Sequence, residues 1–208
     1  MLLALAALAL ALAARAWPPW LGLLILPCAL LYGWVLWFFR DPPRVPPEGD
    51  GLVLAPADGV VTHMDEVDDP GFLGGRALRL SIFLSVFDVH LNRAPLAGTV
   101  AYCRHIPGKF HDARAADSHE ANERQDLGLD TGDARCPRAL VRQTAGLIAR
   151  RIVCALKPGD RIERGAVYGM IKFGSRTTVF LPADARIAWN VAVGDKVRAG
   201  VTILGRLE

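Results

Sequence analysis

Charge is almost absent from the first 39 residues: Met1 to Phe39 holds a single charged side chain, Arg15. Cysteine is sparse, and Cys28, Cys103, Cys136 and Cys154 form no CxxC pair. That spacing argues against a zinc ribbon or a thioredoxin-type redox site. Small buried or half-buried thiols are expected instead, and they suit a reducing compartment. No basic run occurs, and no aromatic platform is interleaved with one, so nothing points to nucleic acid. Helical signal is poor beyond the apolar N-terminus, which favours a β-rich domain. The formal net charge is only +3. Arginine greatly outnumbers lysine, a bias expected of genome base composition, and a modest positive charge also suits an anionic lipid surface.

What is present begins with hydrophobicity. The chain of 208 residues is 52% hydrophobic, with a mean hydropathy of +0.26, and the excess sits at the N-terminus. Leu2 to Ala14 is an unbroken apolar run, interrupted by Arg15 and by Pro18-Pro19. A second run, Trp20 to Phe39, is ended by Arg40-Asp41-Pro42-Pro43-Arg44. At about 1.5 Å per residue the second run just crosses a hydrocarbon core of about 30 Å. Trp17, Trp20, Trp34, Trp37, Phe38 and Phe39 gather towards the ends, as interfacial anchors do. A cleaved signal peptide fits less well, because Met1 to Ala14 has no basic opening and a run of spanning length comes after it. Residues 1–40 are therefore expected to be a membrane anchor, as one helix or a helical hairpin. Arg40 and Arg44 favour a cytoplasmic position for the C-terminal domain, at the cell membrane.

Residues 41–50 hold four prolines and read as a linker. From Gly51 to Glu208 a single domain is expected, with β-like runs at Leu52-Val53-Leu54, Gly59 to His63, Ala77 to Val86, Gly98 to Tyr102 and Gln143 to Ala155. Ala113 to Gly132 is polar and reads as a long loop or lid. Pro158-Gly159-Asp160-Arg161-Ile162-Glu163-Arg164-Gly165 is echoed 35 residues later by Val193-Gly194-Asp195-Lys196-Val197-Arg198-Ala199-Gly200. Such Gly-Asp turns entering a short strand occur in the small barrels of biotinyl and lipoyl domains. Lys172 lacks the flanking methionines of a modified lysine, so the echo reads as shared architecture and not as a shared cofactor. The fold class expected is mainly β, in an α+β chain, with biotinyl/lipoyl-like barrel-sandwich elements behind the membrane segment.

Four stretches carry candidate chemistry. They are Ala55-Pro56-Ala57-Asp58-Gly59-Val60-Val61, Phe87-Asp88-Val89-His90-Leu91-Asn92-Arg93-Ala94-Pro95, Ala121-Asn122-Glu123-Arg124 and Phe173-Gly174-Ser175. Each is bland alone: an Asp before Gly is usually a turn former, a lone His is usually structural, and Gly-Ser is a common turn dipeptide. Together, in order, with Gly-Lys-Phe at 108–110, Gln-x-Ala-Gly and Ala-Arg-Arg-Ile within 143–152, and Phe39-Arg40-Asp41-Pro42-Pro43-Arg44, they are specific.

This set resembles the short bacterial and archaeal type of phosphatidylserine decarboxylase, from about residue 21 to the end. The resemblance implies a proenzyme that cleaves itself between Gly174 and Ser175, giving a β chain of residues 1–174 and an α chain of residues 175–208. Ser175 would become a pyruvoyl group, which condenses with the lipid amine as a Schiff base and lets carbon dioxide leave. Asp58 and His90 are implied as helpers, Asp58 orienting or relaying a proton and His90 as general acid and base. Arg93 is a candidate for the lipid phosphate, and Asn122 and Arg124 are further candidate substrate-binding residues. The partners implied are the phospholipid and the bilayer, with homo-oligomer assembly left open. Two positions depart from the pattern. Arg176 stands after the Ser where several relatives carry Thr or Val. Arg93 stands where longer bacterial enzymes have a second His.

Rival readings are a membrane-tethered biotinyl-like module without activity, and a decarboxylase of another serine lipid such as archaetidylserine. A metal site from His105, His111 and His119 is disfavoured, because they lie in a polar loop without helical ligand spacing.

Overall fold

A computed structural model describes residues 20–68, 71–112, 121–147, 151–172 and 175–208. The chain divides into two compact units, Met1–Arg40 and Asp41–Glu208.

The first unit contains helix α1 (Trp20–Phe38), which has no charged residue and carries Pro27 inside it. Leu23, Leu24, Ile25 and Leu26 are all more than half exposed. Four successive residues sweep a full helical turn, so α1 is apolar on every side. Nineteen residues reach about 28 Å at 1.5 Å each, a little less than a bilayer core of about 30 Å. Among the described residues no helix is long and apolar enough to cross a membrane. The expectation of a spanning helix or hairpin is corrected to that extent, and the run Leu2 to Ala14 lies outside the described residues. Arg40 ends the helix by donating from Nη1 to the Trp37 carbonyl at 2.8 Å, with its guanidinium 3.7 Å above the Trp37 ring centre.

The second unit is mainly β. Its largest sheet has eight strands in the order β13 (Lys196–Val197), β2 (Gly59–Asp68), β3 (Arg76–Leu84), β11 (Ser175–Pro182), β7 (Arg138–Thr144), β6 (Arg124–Asp130), β5 (Gly98–Ile106) and β9 (Arg161–Ile162), antiparallel throughout. Two three-stranded sheets accompany it: β4 (Leu91–Arg93), β10 (Val167–Ile171) and β8 (Ile152–Cys154) form one, and β1 (Leu52–Leu54), β14 (Ile203–Leu207) and β12 (Ile187–Trp189) the other. Val61, Leu80, Ile82, Leu84, Val197 and Leu204 make one buried cluster, and Val100, Leu127, Leu129, Val141, Ile162 and Tyr168 another. Each such aliphatic side chain contributes roughly 1.5–3 kcal/mol by leaving water.

The lid expectation for Ala113 to Gly132 is overturned at its second half, where Arg124–Asp130 is the internal strand β6. Leu127 and Leu129 are buried, and the polar Asp126 is carried by Arg142 on β7 through two hydrogen bonds of 2.7 Å. Residues 113–120 lie outside the described residues.

The sequence echo is structural. Asp160 accepts from Lys157 N, and Asp195 from Ala192 N, both at 2.8 Å. Gly159 N donates to Val100 O and Gly194 N to Val61 O, both at 2.8 Å. The receiving segments are themselves repeated, Ala55-Pro56-Ala57-Asp58-Gly59-Val60-Val61 against Ala94-Pro95-Leu96-Ala97-Gly98-Thr99-Val100. They exchange reciprocal backbone bonds, Leu54 N to Pro95 O at 3.0 Å and Arg93 N to Pro56 O at 2.9 Å. Glycine is needed at the shared position for close approach: a Cβ on Gly59 would lie 2.0 Å from Phe83 O, and one on Gly98 2.7 Å from Asp130 O. The segment 41–50 is fastened to this unit. Arg93 holds Asp41, Arg44 holds Asp58, and Arg164 donates to the Pro47 carbonyl.

Candidate active site

Ser175 is the first residue of β11 and pairs with Leu84, the last residue of β3. It is fully buried, and its Oγ has no hydrogen-bond partner among the described residues. An unmet buried hydroxyl costs about 1–3 kcal/mol. Phe173 and Gly174 lie outside the described residues.

His90 is fully buried at the start of β4. Its Nδ1 lies 2.9 Å from the Asp88 carbonyl, which can only accept. Nδ1 therefore donates there, and Nε2, also buried, is the other ring nitrogen. The His90 carbonyl accepts from Ile171 N at 3.2 Å, at the end of β10. His90 is thus bound to the strand that leads into the Gly174-Ser175 bond. The loop it closes opens at Ser85, one residue past the partner of Ser175.

Strand alternation puts Thr177 on the same face as Ser175. Asn92 donates to Thr177 Oγ1 at 3.0 Å, and Gln143 donates to Asn92 Oδ1 at 2.8 Å. Asn92, Gln143 and Thr177 are all fully buried, so a connected polar patch lies beneath this face. Arg176 points the other way and is fully buried too. Burial, and then Arg79, push its guanidinium down to about 10, against the pull of Asp112.

Asp58 accepts from Arg44 at 2.5 and 2.7 Å and from Ala199 N at 2.8 Å. It lines a cavity of about 560 Å³ together with Phe83, Ser85, Asp88, Lys196 and Arg198. Phe83 and Ser85 flank Leu84, so the cavity lies beside the strand end that carries Ser175. Ser175 pairs with Leu84 at the end of β3, whereas neither Ser175 nor His90 lines the cavity that Asp58 lines.

The other candidates lie in structural settings. Arg93 donates to Gly165 O at 3.1 Å and to Asp41 at 2.9 Å. Asn122 is buried and bonds both the His111 backbone N and O, at 2.9 Å each, and Ala145 O at 2.8 Å. Arg124 opens β6 opposite Thr144, with its Nε buried. Among the described residues no group of three His, Cys, Asp or Glu gathers as a metal site, and His119 lies outside them. Sequence reasoning misses Arg44 as a partner of Asp58, and it misses Asp88 and the Asn92–Gln143–Thr177 network. The motif Asp-Val-His-x-Asn-Arg holds that signal, since Asp88 and Asn92 stand two residues on either side of His90.

The family model for phosphatidylserine decarboxylase matches residues 31–205. The chain belongs to the phosphatidylserine decarboxylase family. A phosphatidylserine decarboxylase proenzyme of Symbiobacterium thermophilum is 55% identical over 173 residues, covering 83% of this chain and 79% of that protein. A proenzyme of the same name from Desulfotalea psychrophila is 46% identical, covering 86% of this chain and 81% of its own. Another, from Carboxydothermus hydrogenoformans, is 44% identical over 189 residues, covering 91% and 85%. The buried Ser175 and His90 of this decarboxylase-family chain both fall inside the matched span.

Proposed function

We propose that this chain decarboxylates phosphatidylserine to phosphatidylethanolamine by means of a pyruvoyl group made from its own Ser175. Membership of the phosphatidylserine decarboxylase family supports the reaction. The observation that supports the site is the buried Ser175 Oγ, without a hydrogen-bond partner among the described residues.

In maturation the Ser175 hydroxyl gives its proton to a base, and Oγ bonds to the Gly174 carbonyl carbon. That carbon's bond to Ser175 N breaks, and the nitrogen takes a proton. Loss of the Cα proton and cleavage of the Cβ–Oγ bond release Gly174 as a carboxylate and leave dehydroalanine at 175. One water then gives the ketone and releases ammonia.

The residues fit such a group to this extent: position 175 is buried at a strand end, and a ketone there has no hydroxyl hydrogen to place. When formed, the pyruvoyl group supplies an electron sink for the pair left as carbon dioxide departs. We assign His90 Nε2 to proton transfer there, and Asp58 to orienting the turn through Arg44 and Ala199 N. The Arg93 guanidinium is committed to Asp41 and Gly165, so the lipid phosphate falls to Lys196 and Arg198 on the cavity wall. We read the paired turns as barrel-sandwich elements of biotinyl/lipoyl type, supported by their reciprocal backbone bonds. The apolar α1 supports membrane association, and Arg40 beyond it a cytoplasmic domain.

A denaturing gel and intact mass decide this reading. The purified protein should separate into residues 1–174 and 175–208, the smaller blocked to N-terminal sequencing. Ser175→Ala should stay full length and inactive, and His90→Ala should lose decarboxylation. A single uncleaved chain with activity would sink the proposal.

A further inference from the structure

We infer that Asp88 is a positioning residue for His90, fixing the histidine's tautomer to the strand end that carries Ser175. The inference rests on the proposed role of His90 at residue 175. The Asp88 carboxylate oxygen Oδ2 accepts from Ser85 N and from Ser85 Oγ, both at 2.8 Å. Asp88 N donates back to Ser85 O at 3.1 Å. These bonds close a tight turn directly after Leu84, the register partner of Ser175. The same residue's carbonyl accepts the His90 Nδ1 proton at 2.9 Å.

The consequence is geometric. A neutral imidazole carries its proton on either nitrogen unless a partner selects one. A carbonyl selects, because it only accepts. That carbonyl holds its direction because the Asp88 side chain pins the peptide to Ser85. His90 is clamped a second time by its own carbonyl on Ile171 N. His90 is therefore referenced both to the turn that follows β3, through Ser85, and to the end of β10, through Ile171. Loosening the Ser85–Asp88 turn releases the tautomer while leaving both strands intact.

Full-length Asp88→Ala, Asp88→Asn and Ser85→Ala test this, with kcat and KM on phosphatidylserine in detergent micelles, the fraction cleaved, and thermal melting. Asp88→Ala should lower kcat about 10–100-fold, as loss of a partner that orients a functional histidine does. KM should change less than kcat, because Asp88 lines the cavity but Lys196 and Arg198, to which the phosphate is assigned, stay in place. In Asp88→Asn the amide oxygen accepts the same two bonds, and kcat should stay within about threefold of the parent. Ser85→Ala removes one of the two and should fall between. Nitrogen NMR of the Ser175→Ala chain should show His90 protonated at Nδ1, and a mixture once Asp88→Ala is added, with His90→Gln supplying the assignment. Wild-type kcat and an unchanged tautomer in Asp88→Ala would overturn the inference. So would Asp88→Asn falling as far as Asp88→Ala, since charge and not the hold would then matter. If Asp88→Ala does not fold, Ser85→Ala decides: lower kcat at unchanged melting supports the inference, and parental kcat overturns it. A parent chain that neither cleaves nor decarboxylates sinks the functional reading instead, and the tautomer signal still tests the hold.

Discussion

Asp58 and Ala97 occupy the same place in the two copies of the Ala-Pro-x-x-Gly-x-Val segment. The second copy makes its turn without a carboxylate, so the turn alone does not require Asp58. What Asp58 adds is Arg44, held bidentately with side chains only 8% and 13% exposed for Arg and Asp. Asp58→Ala would leave that cation buried without its partner, and should cost about 3–5 kcal/mol in urea unfolding. An unchanged midpoint would show that segment 41–50 detaches readily. The motif makes Asp58 visible in the sequence, but its partner Arg44 reads there only as a membrane-flanking charge, because the pairing exists only after folding. His63 carries a second residue-scale prediction. Burial, then the Arg176 and Arg79 cations, hold its imidazole below the ordinary value. As pH falls below about 6.5 the unfolded chain takes the proton first, so this stability is full above that pH and lost below it. His63→Gln should therefore lose less melting temperature than the parent between pH 7 and 5, and parallel curves would refute it.

At the scale of elements, β1, β2, β3 and β5 are legible in the sequence because short β-like runs are bounded by Gly, Pro or Asp. Strand β6 is not, because half of its buried side chains are polar. Asp126 is buried and looks like a loop residue until Arg142, on the adjacent strand, is seen to satisfy it. No local pattern encodes that pairing. The Gly-Asp echo is legible and is borne out as two turns with matching bonds, while the reciprocal exchange between residues 54–56 and 93–95 leaves no local trace. The position of β11 leads to a prediction about the product of the proposed cleavage. It begins at Ser175 and is paired along its length, with β3 on one side and β7 on the other. The 175–208 fragment also supplies β12, β13 and β14. The two fragments should therefore co-elute in size-exclusion chromatography without denaturant and separate only in its presence. Free 175–208 fragment in native buffer would contradict the central placement of β11.

For the whole molecule, the open matter is what covers α1. The apolar run is legible from composition alone, since a helix without a polar side is buried in something. Leu23, Leu26, Leu30 and Leu31 are each at least 60% exposed in the isolated chain. Burying each one in hydrocarbon is worth roughly 1.5–3 kcal/mol, enough together for firm attachment. The substrate we propose is itself a bilayer lipid, so a helix of this kind would hold the β unit where its substrate is. Two sources of attachment can be separated by salt. Lys196, Arg198 and Arg40 would hold anionic lipid electrostatically, and about 1 M salt, with a Debye length near 3 Å, would release that. Apolar burial is not screened. The full chain should float with phosphatidylserine vesicles in low salt and in about 1 M salt alike, whereas Leu26→Asp with Leu30→Asp should sediment free in about 1 M salt. Release of the parent chain by salt would assign attachment to the cationic side chains and remove α1 from the account.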